Sequence, residues 1–293
     1  MRRVVLTAVA LLALSACATT PGETLGDSVI SAKAIREIEK RSGGRLGIAV
    51  VDARGQLISA DRGDERFAMC STFKLLLAGQ VLERAAKGVS LRTPLSFTRT
   101  DLVSYSPGTE KLIGPDGRGE QRLGFAARDA VVLSDNAAAN LILKQIGGPA
   151  AFTAAMRRTG DAVTRLDRIE PELNENAPGD ERDTTSPIAM ATSAAGYVYG
   201  NRLRTEHRKQ LRGWLIESQT GLKRIRAGLP QGWVAGDKTG TCGTAYNDVA
   251  FVETPGGRKY VIAIYLDRPT VEGDAASAVI ADAARIVAAD LAD

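Results

Sequence analysis

Two apolar rhythms divide the chain. From Asp27 to Arg41, Ile30, Ala34 and Ile38 recur four apart, the spacing of one helix face, and Gly43-Gly44 ends the segment. The run Leu46 to Val51 is continuously apolar and predicts a strand. Asp52-Ala53-Arg54-Gly55 supplies turn chemistry, and Gln56 to Ala60 predicts a returning strand. Between about Ser71 and Gly221 the pattern is mostly helical. Phe73 to Ala86, Ala137 to Gly147 and Pro149 to Gly160 are Ala- and Leu-rich segments broken by Gly. Strand signals resume at Trp233 to Thr241, Asn247 to Glu253 and Tyr260 to Leu266, the last two joined through Pro255-Gly256-Gly257. Ala275 to Leu291 closes the chain as a helix with Val279, Ala283 and Ile286 on one face.

Strands at both ends around a helical middle predict an α/β (α+β) fold. One antiparallel five-stranded sheet, flanked by the terminal helices, would be built from residues 28–66 and 222–293. Residues 67–221 would form an all-helical lobe, with a cleft between the two. Residues 18–27 are polar, carry Pro21, Gly22 and Gly26, and read as a tether. Residues 1–17 begin Met1-Arg2-Arg3 and continue apolar from Val4 to Ala16. That is the basic and short apolar pattern of a secretory signal, too short to span a bilayer as a helix. Leu14-Ser15-Ala16-Cys17 resembles a bacterial lipoprotein box, so Cys17 is expected to carry a lipid; ordinary cleavage after Ala18 is the alternative. Both place the protein in the bacterial periplasm, where disulfides form.

At 293 residues, 44% hydrophobic and 25% charged, the chain has the make-up of a folded protein with a large core. Lys and Arg total 38 against 34 Asp and Glu, with no basic stripe carrying interleaved aromatics, so no nucleic-acid partner is indicated. The scarce residues exclude more. One His and three Cys without a CxxC pair rule out a multi-histidine zinc site, a zinc ribbon and a thioredoxin-like motif. No metal or organic cofactor is expected, and acid–base chemistry must rest on Lys, Glu, Asp, Ser or Tyr. His207, within Arg204 to Lys209, reads as an exposed position on a charged helix.

Three short motifs can carry such chemistry. Ser71-Thr72-Phe73-Lys74 opens a predicted helix and puts Ser and Lys on one face. A Ser hydroxyl there sits where free N–H groups favour negative charge, but it needs a neighbouring base. Ser134-Asp135-Asn136 precedes another helix, and Lys238-Thr239-Gly240 lies on a predicted strand. Singly, each has an ordinary explanation: a capped helix start, an N-cap, a solvated Lys beside a Gly. Together, in this order, they resemble the serine β-lactamases and penicillin-binding proteins, over essentially the whole mature chain. Arg168-Ile169-Glu170-Pro171-Glu172-Leu173-Asn174, continued to Asp183, reads as a compact Ω-loop over 168–183. It is similar to the loop of class A β-lactamases.

The resemblance implies a β-lactam amide as substrate and Ser71 as the nucleophile that becomes acylated. The base for acylation would be Lys74 or, through water, Glu170. Glu170 with Asn174 would activate the deacylating water, and Ser134 would pass a proton to the leaving nitrogen. Asn136 would hold the substrate's side-chain amide, and the backbone N–H groups of Ser71 and Thr241 would form the oxyanion hole. Lys238, Thr239, Gly240 and Thr241 would cradle the ring carboxylate. The strand Asn247 to Glu253 lacks the Arg that many family members add; Arg224, supported by Thr220, sits where another subset supplies it, a surface charge being the alternative. Tyr105 would line the cleft mouth. The resemblance further implies an Arg168–Asp183 ion pair, a cis Glu170–Pro171 bond, and a Cys70–Cys242 disulfide like that of the carbapenem-hydrolysing subgroup. A monomer is expected. The rivals are a D-alanyl-D-alanine peptidase, which would not need Glu170 and Asn174, and a penicillin-sensing binding module that stays acylated.

Overall fold

The computed structural model describes residues 31–292. The expected signal segment, Cys17, the tether and the first residues of the predicted opening helix lie outside the described residues. Helix α1 (Ala32–Ser42) starts where the Ser31 hydroxyl accepts the Ala34 N–H and ends at Gly43, whose φ of 68° is the left-handed conformation that a Cβ disfavours.

Five strands form one antiparallel sheet: β1 (Arg45–Asp52), β2 (Leu57–Asp61), β7 (Val234–Cys242), β8 (Ala245–Glu253) and β9 (Lys259–Asp267), ordered β2-β1-β9-β8-β7. The two ends of the chain meet in the β1–β9 ladder, Arg45 opposite Asp267 through Asp52 opposite Tyr260. The central strands are mostly apolar because both faces are covered. On one face Ile48, Val50, Ile262 and Ile264 pack with Ile35 and Ile38 of α1 and with Ile280 and Val287 of α9 (Gly273–Leu291). On the other, Ala49, Val51, Val249, Phe251, Val261 and Ala263 join the core of the helical lobe.

The lobe contains α2 (Phe73–Ala86), α3 (Leu123–Val132), α4 (Asn136–Ile146), α5 (Gly148–Arg158), α6 (Pro187–Val198) and α7 (Thr205–Ile216); the short α8 (Ile225–Gly228) leads back to the sheet. Helix α2 is buried over Phe73 to Leu82 and runs through the lobe's core. The lobe is not wholly helical. Strands β4 (Pro94–Thr98) and β5 (Arg118–Arg122) pair antiparallel, as do β3 (Phe67–Ala68) and β6 (Thr184–Thr185). Leu95 and Phe97 alternate with exposed neighbours in β4, the period-two pattern of a half-buried strand. His207 departs from the exposed position expected: it is half-buried on α7, and its Nδ1 is buried without a hydrogen-bond partner among the described residues.

Candidate active site

A turn of 3₁₀ helix, Cys70–Thr72, feeds directly into α2. It brings Ser71 to the cleft and Lys74 beneath it, three residues on. Lys74 Nζ lies 2.9 Å from Ser71 Oγ, donates to the Ser134 carbonyl at 2.9 Å and to Asn136 Oδ1, and pairs with Glu170 Oε1 at 3.0 Å. Both charged side chains of that pair are wholly buried. Burial drives the Lys74 pKa down, and the Glu170 carboxylate beside it opposes the shift. Glu170 Oε1 is itself 3.5 Å from Ser71 Oγ.

Glu170 arrives on the Ω-loop. Asp183 closes the loop's neck by accepting the Asp167 N–H at 2.7 Å, the Arg168 N–H at 3.0 Å and Arg168 Nε at 2.6 Å. The Glu170–Pro171 bond is cis. Asn174 Nδ2 donates to Glu170 Oε2 at 2.5 Å, while Asn174 Oδ1 is buried and accepts from no described residue. Asn140 on α4 grips the Glu170 backbone from both sides, its Oδ1 taking the N–H at 2.9 Å and its Nδ2 reaching the carbonyl at 2.8 Å.

The Ser134-Asp135-Asn136 turn divides its labour. Asp135 caps α4 by accepting the Ala138 N–H, and it also binds the Gly108 and Thr109 N–H groups and the Thr109 hydroxyl, which fixes the segment that presents Tyr105. Asn136 Nδ2 donates to the Ser104 carbonyl. Tyr105 itself is 60% exposed. Ser134, Tyr105 and Cys70 hold φ values of 61°, 62° and 46°. Each such backbone costs about 1–3 kcal/mol and persists only where the surroundings over-determine it.

Strand β7 supplies the facing wall. Lys238, fully buried, donates to Ser134 Oγ at 3.0 Å and to the Thr239 carbonyl at 2.8 Å. Burial, reinforced by the positive charge of Lys74, lowers its pKa to about 7. Thr239 Oγ1 meets Thr220 Oγ1 at 2.6 Å. Arg224 is buried against the strand's edge, with Nη1 on the Gly240 and Asn247 carbonyls and Nη2 on Thr241 Oγ1 at 2.6 Å. It lines the cleft, so the surface-charge alternative does not hold. Behind it, Asp248 Oδ2 accepts the Ile225 N–H, and Asp237 pairs with Arg226. Burial raises the pKa of both carboxyls, and the charge of Asp237 raises that of Asp248 further. Cys70 and Cys242 are disulfide-bonded, with Cα atoms 5.6 Å apart.

The result is a cavity of about 310 Å³ lined by Ser71, Tyr105, Ser134, Asn136, Asn174, Thr220, Arg224, Thr239 and Thr241. Every lining residue is one the sequence motifs pointed to, and Lys74, Glu170, Lys238 and Gly240 lie buried at its floor and wall. Sequence reading missed Asn140, although its place one turn after Asn136 on α4 puts it on the same helix face. It also missed Asp237, Asn247, Asp248 and Tyr265, apolar-strand neighbours whose partners come from distant segments.

A serine contacting a buried lysine, between a helical lobe and the edge strand of a five-stranded antiparallel sheet, defines the active-site serine class that the motifs resemble. A match to the β-lactamase enzyme family covers residues 31–291. Beta-lactamase FAR-1 of Nocardia farcinica is 43% identical over 254 residues, 85% of this chain and 79% of that one. The carbapenem-hydrolyzing beta-lactamase KPC of Klebsiella oxytoca is 42% identical over 258 residues, 87% of each. The structure of the class A β-lactamase of the last common ancestor of Gram-negative bacteria is 49% identical, with a TM-score of 0.84 over 88% of this chain and 98% of that chain. The chain belongs to the β-lactamase enzyme family, and within it to class A.

Proposed function

We propose that the protein hydrolyses the β-lactam amide of penicillins and cephalosporins, and of carbapenems, through an acyl-enzyme on Ser71, conferring resistance to those antibiotics. The observation that carries this reading is the triangle of Ser71, facing the cleft, with the buried Lys74 and Glu170, completed by Asn174. The serine proton can pass to Lys74 at 2.9 Å or to Glu170 at 3.5 Å. A carboxylate held beside the nucleophile after acylation is a general base for water, a group that the peptidase and sensor readings do not require. Ser134, gripped by Lys238 through its hydroxyl, returns a proton to the leaving nitrogen. The Ser71 and Thr241 N–H groups receive the oxyanion, each donor contributing on the order of 3–4 kcal/mol. Lys238, Thr239, Thr241 and Arg224 face the substrate carboxylate, Asn136 its side-chain amide, and Tyr105 the cleft mouth. The N-terminal sequence adds export to the periplasm and a lipid at Cys17.

Glu170→Gln tests the reading. The variant is expected to accumulate a Ser71 adduct, seen by intact-mass spectrometry, while wild type turns over a chromogenic cephalosporin many times. A persistent adduct on wild type would favour the peptidase or sensor. Carbapenem hydrolysis rests on the Cys70–Cys242 disulfide and on Thr241, features shared with that subgroup. Loss of carbapenem absorbance follows it directly, and absent turnover retires that part alone.

A further inference from the structure

The segment that carries the nucleophile lies across one row of the sheet. Gly47 of β1, Tyr265 of β9, Asn247 of β8 and Gly240 of β7 stand opposite one another in register. The row is glycine at both ends and polar in the middle. Each member answers to the segment from Phe67 to Thr72. At Gly240 a Cβ would stand 2.6 Å from the Met69 carbonyl oxygen, so only glycine lets that backbone settle. A Cβ at Gly47 would enter the Phe67 ring, which packs 5.7 Å from the Tyr265 ring. Asn247 Nδ2 donates to the Ala68 carbonyl at 2.8 Å and the Met69 carbonyl at 3.3 Å, and lies 3.6 Å from Cys70 Sγ. The Tyr265 hydroxyl meets Thr72 Oγ1 at 3.0 Å, and Thr72 Oγ1 donates back to the Met69 carbonyl at 2.8 Å. Asn247 and Tyr265 are both buried.

We propose that Asn247 and Tyr265 are positioning residues for Ser71: the row fixes the height and direction of the nucleophile and of its N–H relative to β7. The inference rests on the reading that Ser71 is acylated. Its chemical basis is that Cys70 holds a left-handed backbone immediately before Ser71, a conformation that relaxes unless both flanks are tied. The disulfide ties the Cys70 side chain to β7, and the row ties the carbonyls before it and the hydroxyl after it. Lys238 stands one row along the same face, opposite Val249, so the row also sets the spacing between nucleophile and carboxylate cradle. The Asn247 backbone carbonyl separately accepts Arg224 Nη1 at 2.7 Å. Trimming the side chain therefore leaves the anchor of Arg224 in place.

That separation sets the test. Single-turnover acylation by a cephalosporin is followed by quenched-flow mass spectrometry at several substrate concentrations. This gives the acylation rate constant and the pre-covalent dissociation constant for wild type, Asn247→Ala and Tyr265→Phe. Displacing a reacting atom by about 1 Å costs about a hundredfold, so Asn247→Ala is expected to acylate about 10- to 100-fold more slowly. Tyr265→Phe, which loses one hydroxyl bond, should acylate about two- to tenfold more slowly. In both, substrate binding should stay within about threefold of wild type. The rate is read on adduct-competent protein, so lost stability alone does not move it. If Asn247→Ala does not fold, Tyr265→Phe carries the result. No adduct on wild-type Ser71 would overturn the acyl-enzyme reading and this inference with it. An adduct on wild type that forms at the same rate on the folded variants would overturn this inference alone.

Discussion

Replacing Asp183 with Ala should uncouple the Ω-loop from the rest of the enzyme. Its carboxylate is buried and accepts three hydrogen bonds, two from backbone N–H groups and one from Arg168 Nε. Truncating one member of a buried charge pair costs about 3–5 kcal/mol, because the partner is left buried and unsatisfied. Here the lower end applies, since Arg168 keeps the Glu175 carboxylate at 2.7 Å and the Glu175 carbonyl at 2.8 Å. A loss of about 3 kcal/mol, at about 2–4 °C per kcal/mol for a domain of this size, lowers the melting temperature by about 6–12 °C. Differential scanning calorimetry reads that shift. The kinetic signature is more telling. Glu170 rides on the loop whereas Ser71 and Lys74 ride on α2, so deacylation should slow more than acylation and a Ser71 adduct should become visible under turnover. The Arg168→Ala/Asp183→Ala double variant should lose less than the sum of the single variants, the coupling expected of two residues in contact. A melting temperature within about 2 °C of wild type would refute the argument that this pair holds the loop; equal slowing of both steps would mean that Glu170 serves acylation as well.

Two other outcomes follow from the buried charges and the crosslink. Lys238, with its pKa lowered to about 7, binds a substrate carboxylate as the ammonium, so kcat/KM for carboxylate-bearing substrates should fall about tenfold from pH 6 to pH 8; a limb lying above pH 9 would show that the site keeps this lysine charged. Cys70→Ser/Cys242→Ser opens a crosslink spanning 172 positions, which the chain-entropy model values at up to about 5 kcal/mol; urea unfolding checks it, and an unchanged midpoint would mean that the crosslink does not constrain the unfolded chain.

How much was legible in the sequence follows from the range of the interactions. Helix α2 spans Phe73–Ala86, the segment its pattern predicts, because its apolar run and its Gly stop are local. The central strands came through equally well: two covered faces make them continuous apolar runs. The β4–β5 pair was missed because the alternation in Pro94 to Thr98 is short and its partner is another polar stretch. The cleft-lining residues were found because their spacing within each motif is short and their identities are chemical. Asn247 and Asp248 gave no such signal. In the sequence they interrupt an apolar strand, and their meaning comes only from register and from the segments at Ala68 and Ile225 that fold onto them.

Those same long-range contacts explain how a site without a catalytic histidine moves protons. In the proposed mechanism the two lysines are not equivalent, and Ser134 is what separates their tasks. Lys74 donates to the Ser134 carbonyl and Lys238 to its hydroxyl, so one residue, held at φ 61°, stands between two buried lysines. At Lys74 the Glu170 carboxylate opposes the burial that lowers the pKa; at Lys238 the opposition comes from Asp237 and Asp248 on the far side of the strand. When Ser71 loses its proton toward Lys74 or Glu170, that proton is held on the α2 and Ω-loop side of the cleft. The hydroxyl of Ser134 can then give its proton to the leaving nitrogen while Lys238 holds the oxygen, and the field of the adjacent ammonium lowers the cost of the transient negative charge. A histidine would have to collect and return the proton on a single ring. Here the collecting groups sit on α2 and the Ω-loop and the returning hydroxyl on the turn before α4, and the Ser134 oxygen regains a proton from the Lys238 ammonium that donates to it at 3.0 Å.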